Sequence, residues 1–198
     1  MKVIKLGGSL VSSGRLLQCL NHIEHNYAEP VVVVPGGGQL ADVVRQLQQD
    51  LGFDDTTAHA MAILAMQQLA LMIQGLKPNF NLAYSVNDIR LFLQQSKVVI
   101  WSPVLAELNA ANISASWSVT SDSLAAWLAQ QLQADELILV KSALINTNDS
   151  LEQLTEQGIV DPCFSTFCQD AHFLIKLINA ELFYGQFVCV HLVKTFIR

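Results

Sequence analysis

The sequence predicts an α/β protein: a three-layer α/β/α sandwich around a mainly parallel sheet. Three observations predict it. Short apolar runs of strand length alternate with longer stretches of helical periodicity, the pattern of units whose crossovers force neighbouring strands to run parallel. Two of these units share one joint, a strand that runs straight into glycines and then into a helix. The four consecutive valines Val31 to Val34 show no polar alternation, as expected of a strand buried on both faces.

Each element follows in order. Lys2-Val3-Ile4-Lys5-Leu6 reads as the first strand; Gly7-Gly8-Ser9 turns the chain, and a helix is expected over about Ser13 to His25. Pro30 opens the valine strand, Pro35-Gly36-Gly37-Gly38 ends it, and a helix follows over about Gln39 to Gln49. Asp54-Asp55-Thr56-Thr57 can cap a longer helix, Ala58 to Gly75, in which Met61, Leu64, Ala65, Leu69 and Met72 recur at helical spacing. A short strand at Leu82 to Tyr84, a helix from Asp88 to Gln95 and a buried strand at Val98 to Trp101 come next. Ser118 to Gln133 reads as a helix starting at Thr120-Ser121-Asp122-Ser123, and Leu137 to Val140 as a strand ending at Lys141. Beyond Asn146 the periodicity weakens, and the apolar ending at 187–197 suits a last strand or helix. No repeat beyond the two glycine joints and no linker divides the chain, so a single domain over 1–198 is expected.

Composition narrows the function. A 198-residue chain with 52% hydrophobic side chains buries roughly 70% of its unfolded surface and needs no metal or disulfide staple. Eleven basic against seventeen acidic residues give a net charge of -6, which offers no cationic stripe to a nucleic-acid backbone. Apolar runs such as Val31 to Val34 and Ala58 to Met66 fall short of the roughly 20 residues that span a bilayer, so no membrane partner is expected. The start lacks a long apolar segment with a cleavage site, and a cytoplasmic location is expected. Cys19, Cys163, Cys168 and Cys189 form no C-x-x-C pair, so buried free thiols are expected. The five dispersed histidines suggest no protein-held metal.

The chemistry gathers at the glycine joints. In a parallel sheet, ligands sit at the carboxyl ends of the strands, and glycines there have no Cβ to block approach to backbone N–H groups. Two adjacent anion seats suit phosphoryl transfer, which holds donor and acceptor face to face with the charge between them neutralised. Lys5, two residues before Gly7, supplies a point charge for a phosphate, and Lys141 a second at the end of another strand. Asp122, at a helix start, is placed to orient the ammonium groups, with magnesium held mainly by the nucleotide. Its plain alternative is a first-turn cap. Arg45, beyond the second glycine turn, and His59, on the long helix, are carried as acceptor contacts against the alternatives of a solvated face and a packed histidine. Neither G-x-G-x-x-G nor G-x-x-x-x-G-K-[ST] occurs.

Lys5-Leu6-Gly7-Gly8-Ser9, then Val31 to Val34 with Pro35-Gly36-Gly37-Gly38, then Thr120-Ser121-Asp122-Ser123 before Leu137 to Lys141 together resemble the amino acid kinase family in order and spacing. That family includes acetylglutamate, aspartate, carbamate and uridylate kinases. The resemblance covers about residues 1–146 and implies the carbamate kinase-like fold, an acceptor side over about 1–115, a nucleotide side over about 116–198, ATP and Mg2+ as cofactors, and association as a homodimer. It makes Lys5 the lysine on the transferred phosphoryl group, Gly7, Gly8 and Ser9 the turn over the phosphates, Gly36, Gly37 and Gly38 the acceptor-side turn, Asp122 the aspartate that organises the lysines, and Lys141 part of the nucleotide side. Small size, the stretch Thr57 to Met66 and Gly158-Ile159-Val160-Asp161 are similar to the short branch that includes the kinase of methanofuran biosynthesis. That likeness implies phosphorylation of an aminomethylfuran-methyl phosphate to its diphosphate. Ala143-Leu144-Ile145-Asn146-Thr147 stands where relatives show Thr-Asp-Val-Asp-Gly. Two alternatives stay open: a kinase for a carboxylate, carbamate or nucleoside monophosphate, and a non-catalytic member that binds a phosphorylated metabolite.

Overall fold

A computed structural model describes residues 1–146, 148–185 and 191–193. In chain order the elements are β1 (Lys2–Leu6), α1 (Ser9–Ser12), α2 (Leu16–Asn26), β2 (Val31–Pro35), α3 (Gly38–Leu51), α4 (Asp55–Leu76), β3 (Asn81–Ala83), α5 (Val86–Phe92), β4 (Val98–Trp101), α6 (Leu105–Ala110), α7 (Ser121–Leu132), β5 (Glu136–Lys141), α8 (Leu151–Glu156), α9 (Phe164–Phe167), β6 (Leu174–Asn179), α10 (Ala180–Tyr184) and β7 (His191–Val193). The strands form one sheet in the order β3-β4-β2-β1-β5-β6-β7, parallel throughout except for β7 against β6. The expected α/β/α sandwich is therefore the observed architecture.

Strand alternation divides the core into two layers. Val3, Val32, Val34, Val99, Leu137 and Leu139 face one way and pack with α7, which is buried from Ser121 to Ala129. Ile4, Leu6, Val31, Val33, Ile100, Ile138 and Val140 face the other way and pack with α2 and α10. Central β1 has β2 on one side and β5 on the other, so the chain reverses its direction of travel across the sheet there. The carboxyl end of β1 is thus a switch point where ligands of open parallel sheets bind.

Several boundaries differ from expectation. The helix expected over Ser13 to His25 is α2, which starts at Leu16, and an unexpected α1 precedes it over Ser9–Ser12; between them Gly14 adopts φ +70, a left-handed step that ends a helix. Asp54 caps α4 as expected, accepting from the Thr57 amide at 2.7 Å, but α4 runs through Gly75 to Leu76 over 22 residues. By length and composition α4 is long and apolar enough to cross a membrane, which the run Ala58 to Met66 alone did not indicate. Here its residues Ala58, Ile63, Met66, Ala70 and Ile73 are buried within the domain. The helices α6, α8, α9 and α10 and the strand β6 were not expected. Cys19 and Cys168 are buried free thiols, whereas Cys163 is only half-buried. Of the apolar ending at 187–197, residues 191–193 form β7, and the rest, with Cys189, lies outside the described residues.

Candidate active site

The pairing of Leu6 with Pro35 and of Leu6 with Val140 brings three strand ends level. Gly36 donates its amide to Leu6 O at 2.9 Å, and Gly7 donates to Val140 O at 3.0 Å, so both glycine turns are hung on the ends of neighbouring strands. Sequence reasoning kept the glycines to let ligands approach; the structure adds a different reason. A Cβ built on Gly8 would lie 2.1 Å from Gly38 N and 2.2 Å from Gly38 Cα, and one on Gly36 would lie 2.7 Å from Gly8 N. The two turns touch backbone to backbone and make one continuous rim.

Beneath that rim lies a charged cluster. In β1, Lys5 shares the α7-facing side with Val3, and in β5, Lys141 shares it with Leu137 and Leu139, because side chains alternate along a strand. Asp122, in the first turn of α7, meets both. Lys5 Nζ lies 2.7 Å from its Oδ1, and Lys141 Nζ donates to Oδ1 at 2.8 Å and Oδ2 at 2.7 Å. The Lys5 and Asp122 side chains are each 5% exposed and Lys141 12%. Burial alone would push the Asp122 carboxyl up, but the attraction of Lys141 and then Lys5 overrides it and holds it at about 2. Burial pushes the Lys141 ammonium down to about 8, with Asp122 opposing the shift and Lys5 adding to it. Two ammonium groups on one carboxylate leave one net positive charge, nearly dry.

A pocket of about 260 Å³ borders the rim. Gly8, Ser9 and Gly36 to Gly38 form its edge, and Ile63, Met66 and Leu124 give it an apolar wall. Arg45 and His59 line it, as does Trp117, which sequence reasoning missed. The Arg45 guanidinium lies 4.4 Å from the centre of the Trp117 ring, a cation–π distance. Trp117 Nε1 donates to Gln48 Oε1 at 2.5 Å, and Gln48 Nε2 donates to Asp55 Oδ1 at 2.8 Å, so the arginine is held by a linked wall. His59 is 6% exposed, yet its Nε2 has no partner among the described residues. Burial lowers its pKa and favours the neutral ring. A buried polar atom without a partner is uncommon in a finished site; a ligand atom would satisfy it. Ser116, Val119, Thr120 and Ser121 also line this pocket, which the residues of the Lys5–Asp122–Lys141 cluster do not.

Immediately beyond β5, residues 142–148 carry no ionisable side chain. Ser9 and Ser142 hydroxyls lie 2.7 Å apart, Asn179 Nδ2 donates to Ala143 O at 2.8 Å, and Leu144 is 87% exposed. No group of three metal-ligating side chains occurs among the described residues.

Comparison with known proteins bears on this geometry. The chain is 28% identical over 141 residues to [5-(aminomethyl)furan-3-yl]methyl phosphate kinase of Methanocaldococcus jannaschii. That match takes in 70% of this chain and spans 64% of the length of that relative. Among solved structures it resembles uridylate kinase from Archaeoglobus fulgidus, with a TM-score of 0.73 and 20% identity over 97% of this chain and 98% of that one. UMP kinase from Bacillus anthracis gives a TM-score of 0.69 and 18% identity over 98% of each chain. These likenesses show the fold. The amino acid kinase family profile matches residues 1–143, and the chain therefore belongs to the amino acid kinase family.

Proposed function

We propose that the protein is an ATP-dependent small-molecule kinase that transfers the γ-phosphoryl group of MgATP to an acceptor held in the pocket beside Arg45 and His59. One observation carries this reading: the buried Lys5–Asp122–Lys141 cluster keeps a net positive charge with no further counterion in the described residues. A buried charge without a partner is costly, and a phosphoryl group in flight, rich in anionic oxygens, offsets it. In the proposed step an acceptor oxygen bonds to the γ-phosphorus as the bond to the β–γ bridging oxygen breaks and ADP leaves. An acceptor that is already a phosphate attacks as an anion, so no general base is needed. The glycine rim aligns the reactants, Lys5 and Lys141 take up charge, and Asp122 fixes both lysines, so catalysis is positioning plus electrostatics. Magnesium, bound through the nucleotide, supplies further charge neutralisation on the phosphates.

The favoured acceptor is an aminomethylfuran-methyl phosphate, converted to its diphosphate for a methanofuran-type one-carbon carrier. The name of the M. jannaschii relative supports it, and so does the pocket chemistry. Arg45 suits an anionic group, the carboxylates of Asp42 and Asp55 suit an ammonium group, and the apolar wall suits a small ring. A homodimer in the cytoplasm completes the reading, supported by the exposed Leu40, Val43 and Leu47 on α3 and Leu64 and Leu71 on α4.

Phosphorus NMR of the protein with MgATP and this acceptor, beside a carboxylate, carbamate and uridine monophosphate, tests the reading. New diphosphate resonances with the aminomethylfuran acceptor are expected. Turnover of another acceptor alone would keep the kinase and replace its substrate; metabolite binding by calorimetry without MgATP binding would overturn the kinase. The cluster also sets a pH dependence. Lys141 is charged below about 8, so kcat is expected to hold through neutrality and fall as pH rises through that value. The folded pKa lies below the ordinary 10.5, so between these values the unfolded chain binds more protons and Lys141's contribution to stability rises. Activity and this part of the stability thus move in opposite directions, which kcat profiles and denaturation midpoints of wild type and Lys141→Gln read separately.

A further inference from the structure

We propose that Asp161 is a positioning residue: a second buried carboxylate, supplied from beyond the nucleotide-side loop, that fixes the first turn of α7 so that Asp122 is free to hold both lysines. Asp161 is 7% exposed and takes four hydrogen bonds from one helix start. Its Oδ2 accepts from Thr120 N at 3.0 Å, Thr120 Oγ1 at 2.8 Å and Ser123 N at 3.0 Å, and its Oδ1 accepts from Ser123 Oγ. The donors flank Asp122, on the N-cap residue before it and on the residue just after it.

The helix needs this help for a specific reason. A helix start leaves amides without partners, and a side chain at the N-cap or in the first turn normally accepts from them. Thr120 makes no such side-chain bond. Asp122 cannot serve either, since both its oxygens are engaged by Lys141 and one also by Lys5. The two carboxylates divide the work, Asp161 taking the amides and hydroxyls and Asp122 the ammonium groups. A second tether runs beside the first: Cys163 N donates to Ser118 O at 3.0 Å, next to the pocket residue Trp117. The segment 161–163 therefore braces the start of the helix that carries Asp122 and the wall that holds Arg45.

Without Asp161 the first turn of α7 loosens and Asp122 draws away from Lys141. The ammonium then keeps its burial and its neighbour Lys5 but loses its main counterion, so its pKa falls. Lysine NMR with a 13Cε label, titrated on the free protein, reads this without any substrate. Asp161→Ala is expected to lower the Lys141 midpoint by at least about half a pH unit relative to wild type. Asp161→Asn, which keeps the shape and part of the acceptor capacity, is expected to shift it less and serves if the alanine variant does not fold. Ser150→Ala, which removes the cap of α8, is the control for lost helix stability and is expected to leave the midpoint in place. An unmoved Lys141 midpoint in a folded Asp161 variant would overturn the proposal, whatever the acceptor proves to be. Given turnover, kcat should fall by about tenfold to a hundredfold with KM for MgATP within about threefold; a change confined to KM would count against positioning.

Discussion

Replacing Lys5 with methionine is expected to lower kcat by about a hundredfold to a thousandfold in a protein that stays folded. The separation follows from the arithmetic of the cluster. Lys5 and Lys141 share Asp122, so removing Lys5 takes away the surplus positive charge and leaves Asp122 bound to Lys141 through both oxygens. Methionine keeps the apolar stem that packs in the α7-facing layer, so no large cavity opens. The fold thus loses little and the transition state loses a charge. Asp122→Asn should behave in the opposite order. It leaves two buried ammonium groups without a carboxylate, and stability is expected to fall by about 3–5 kcal/mol along with turnover. Denaturation midpoints and single-turnover rates of the two variants check both statements. A Lys5→Met protein with wild-type kcat would remove the cluster from the chemistry.

How much of this could be read from sequence depends on how far apart the partners lie. Lys5, Gly7, Gly8 and Gly36 to Gly38 stand within two or three residues of a strand end, and strand ends are legible because apolar runs stop there. Asp122 and Lys141 are legible for the same reason, as the first turn of a helix and the last residue of a strand. Their meeting is legible only once the parallel order of β1 and β5 is assumed. Asp161 stood only at the end of the stretch Gly158 to Asp161 that carries part of the family likeness, with no role attached to it. Its partners Thr120 and Ser123 lie 41 and 38 residues earlier, and within its own segment it reads as a turn residue before Pro162. Trp117 is similar: its partner Gln48 is 69 residues away, and one tryptophan in a polar loop has no periodicity to betray it.

The sheet shows the same division. The central strands were readable because both faces are buried and the runs are uninterrupted, as in Val31 to Val34. β6 was not, although Leu174 to Ile178 is largely apolar, because Lys176 breaks the run. In the structure Lys176 is paired with the buried Glu136 of β5, a cross-strand partner that no local window contains. The helices α8, α9 and α10 are six residues or fewer, too short for helical periodicity to register. α4, expected to end at Gly75, ends one residue later at Leu76. Gly75 is exposed in the last turn of the helix, and Lys77 N still donates to Ile73 O at 2.9 Å to complete that turn.

Gly8→Ala is expected to be more damaging than a methyl group added at any other glycine of the two turns. Gly8 has φ -61 and ψ -29, a conformation open to any L-residue, so backbone strain at the position itself plays no part. What forbids alanine is the partner turn, whose Gly38 N and Cα would lie 2.1 and 2.2 Å from the new Cβ. The obstacle is backbone, which no rotamer change relieves, so the rim must part. Parting it moves the residues that follow β1 and β2, and with them the line between pocket and lysine cluster. A loss of about 3 kcal/mol or more is expected, with turnover falling at least about a hundredfold because the reactants are no longer aligned. Gly75→Ala is the matched comparison: its Cβ meets nothing within 4 Å, and within a helix alanine should stabilise by about 0.5–1 kcal/mol. Urea denaturation of both variants, with phosphorus NMR of turnover, decides the matter. If Gly8→Ala matched wild type in stability and rate, the contact between the turns would be dispensable, and the glycines would have to be explained by ligand approach alone.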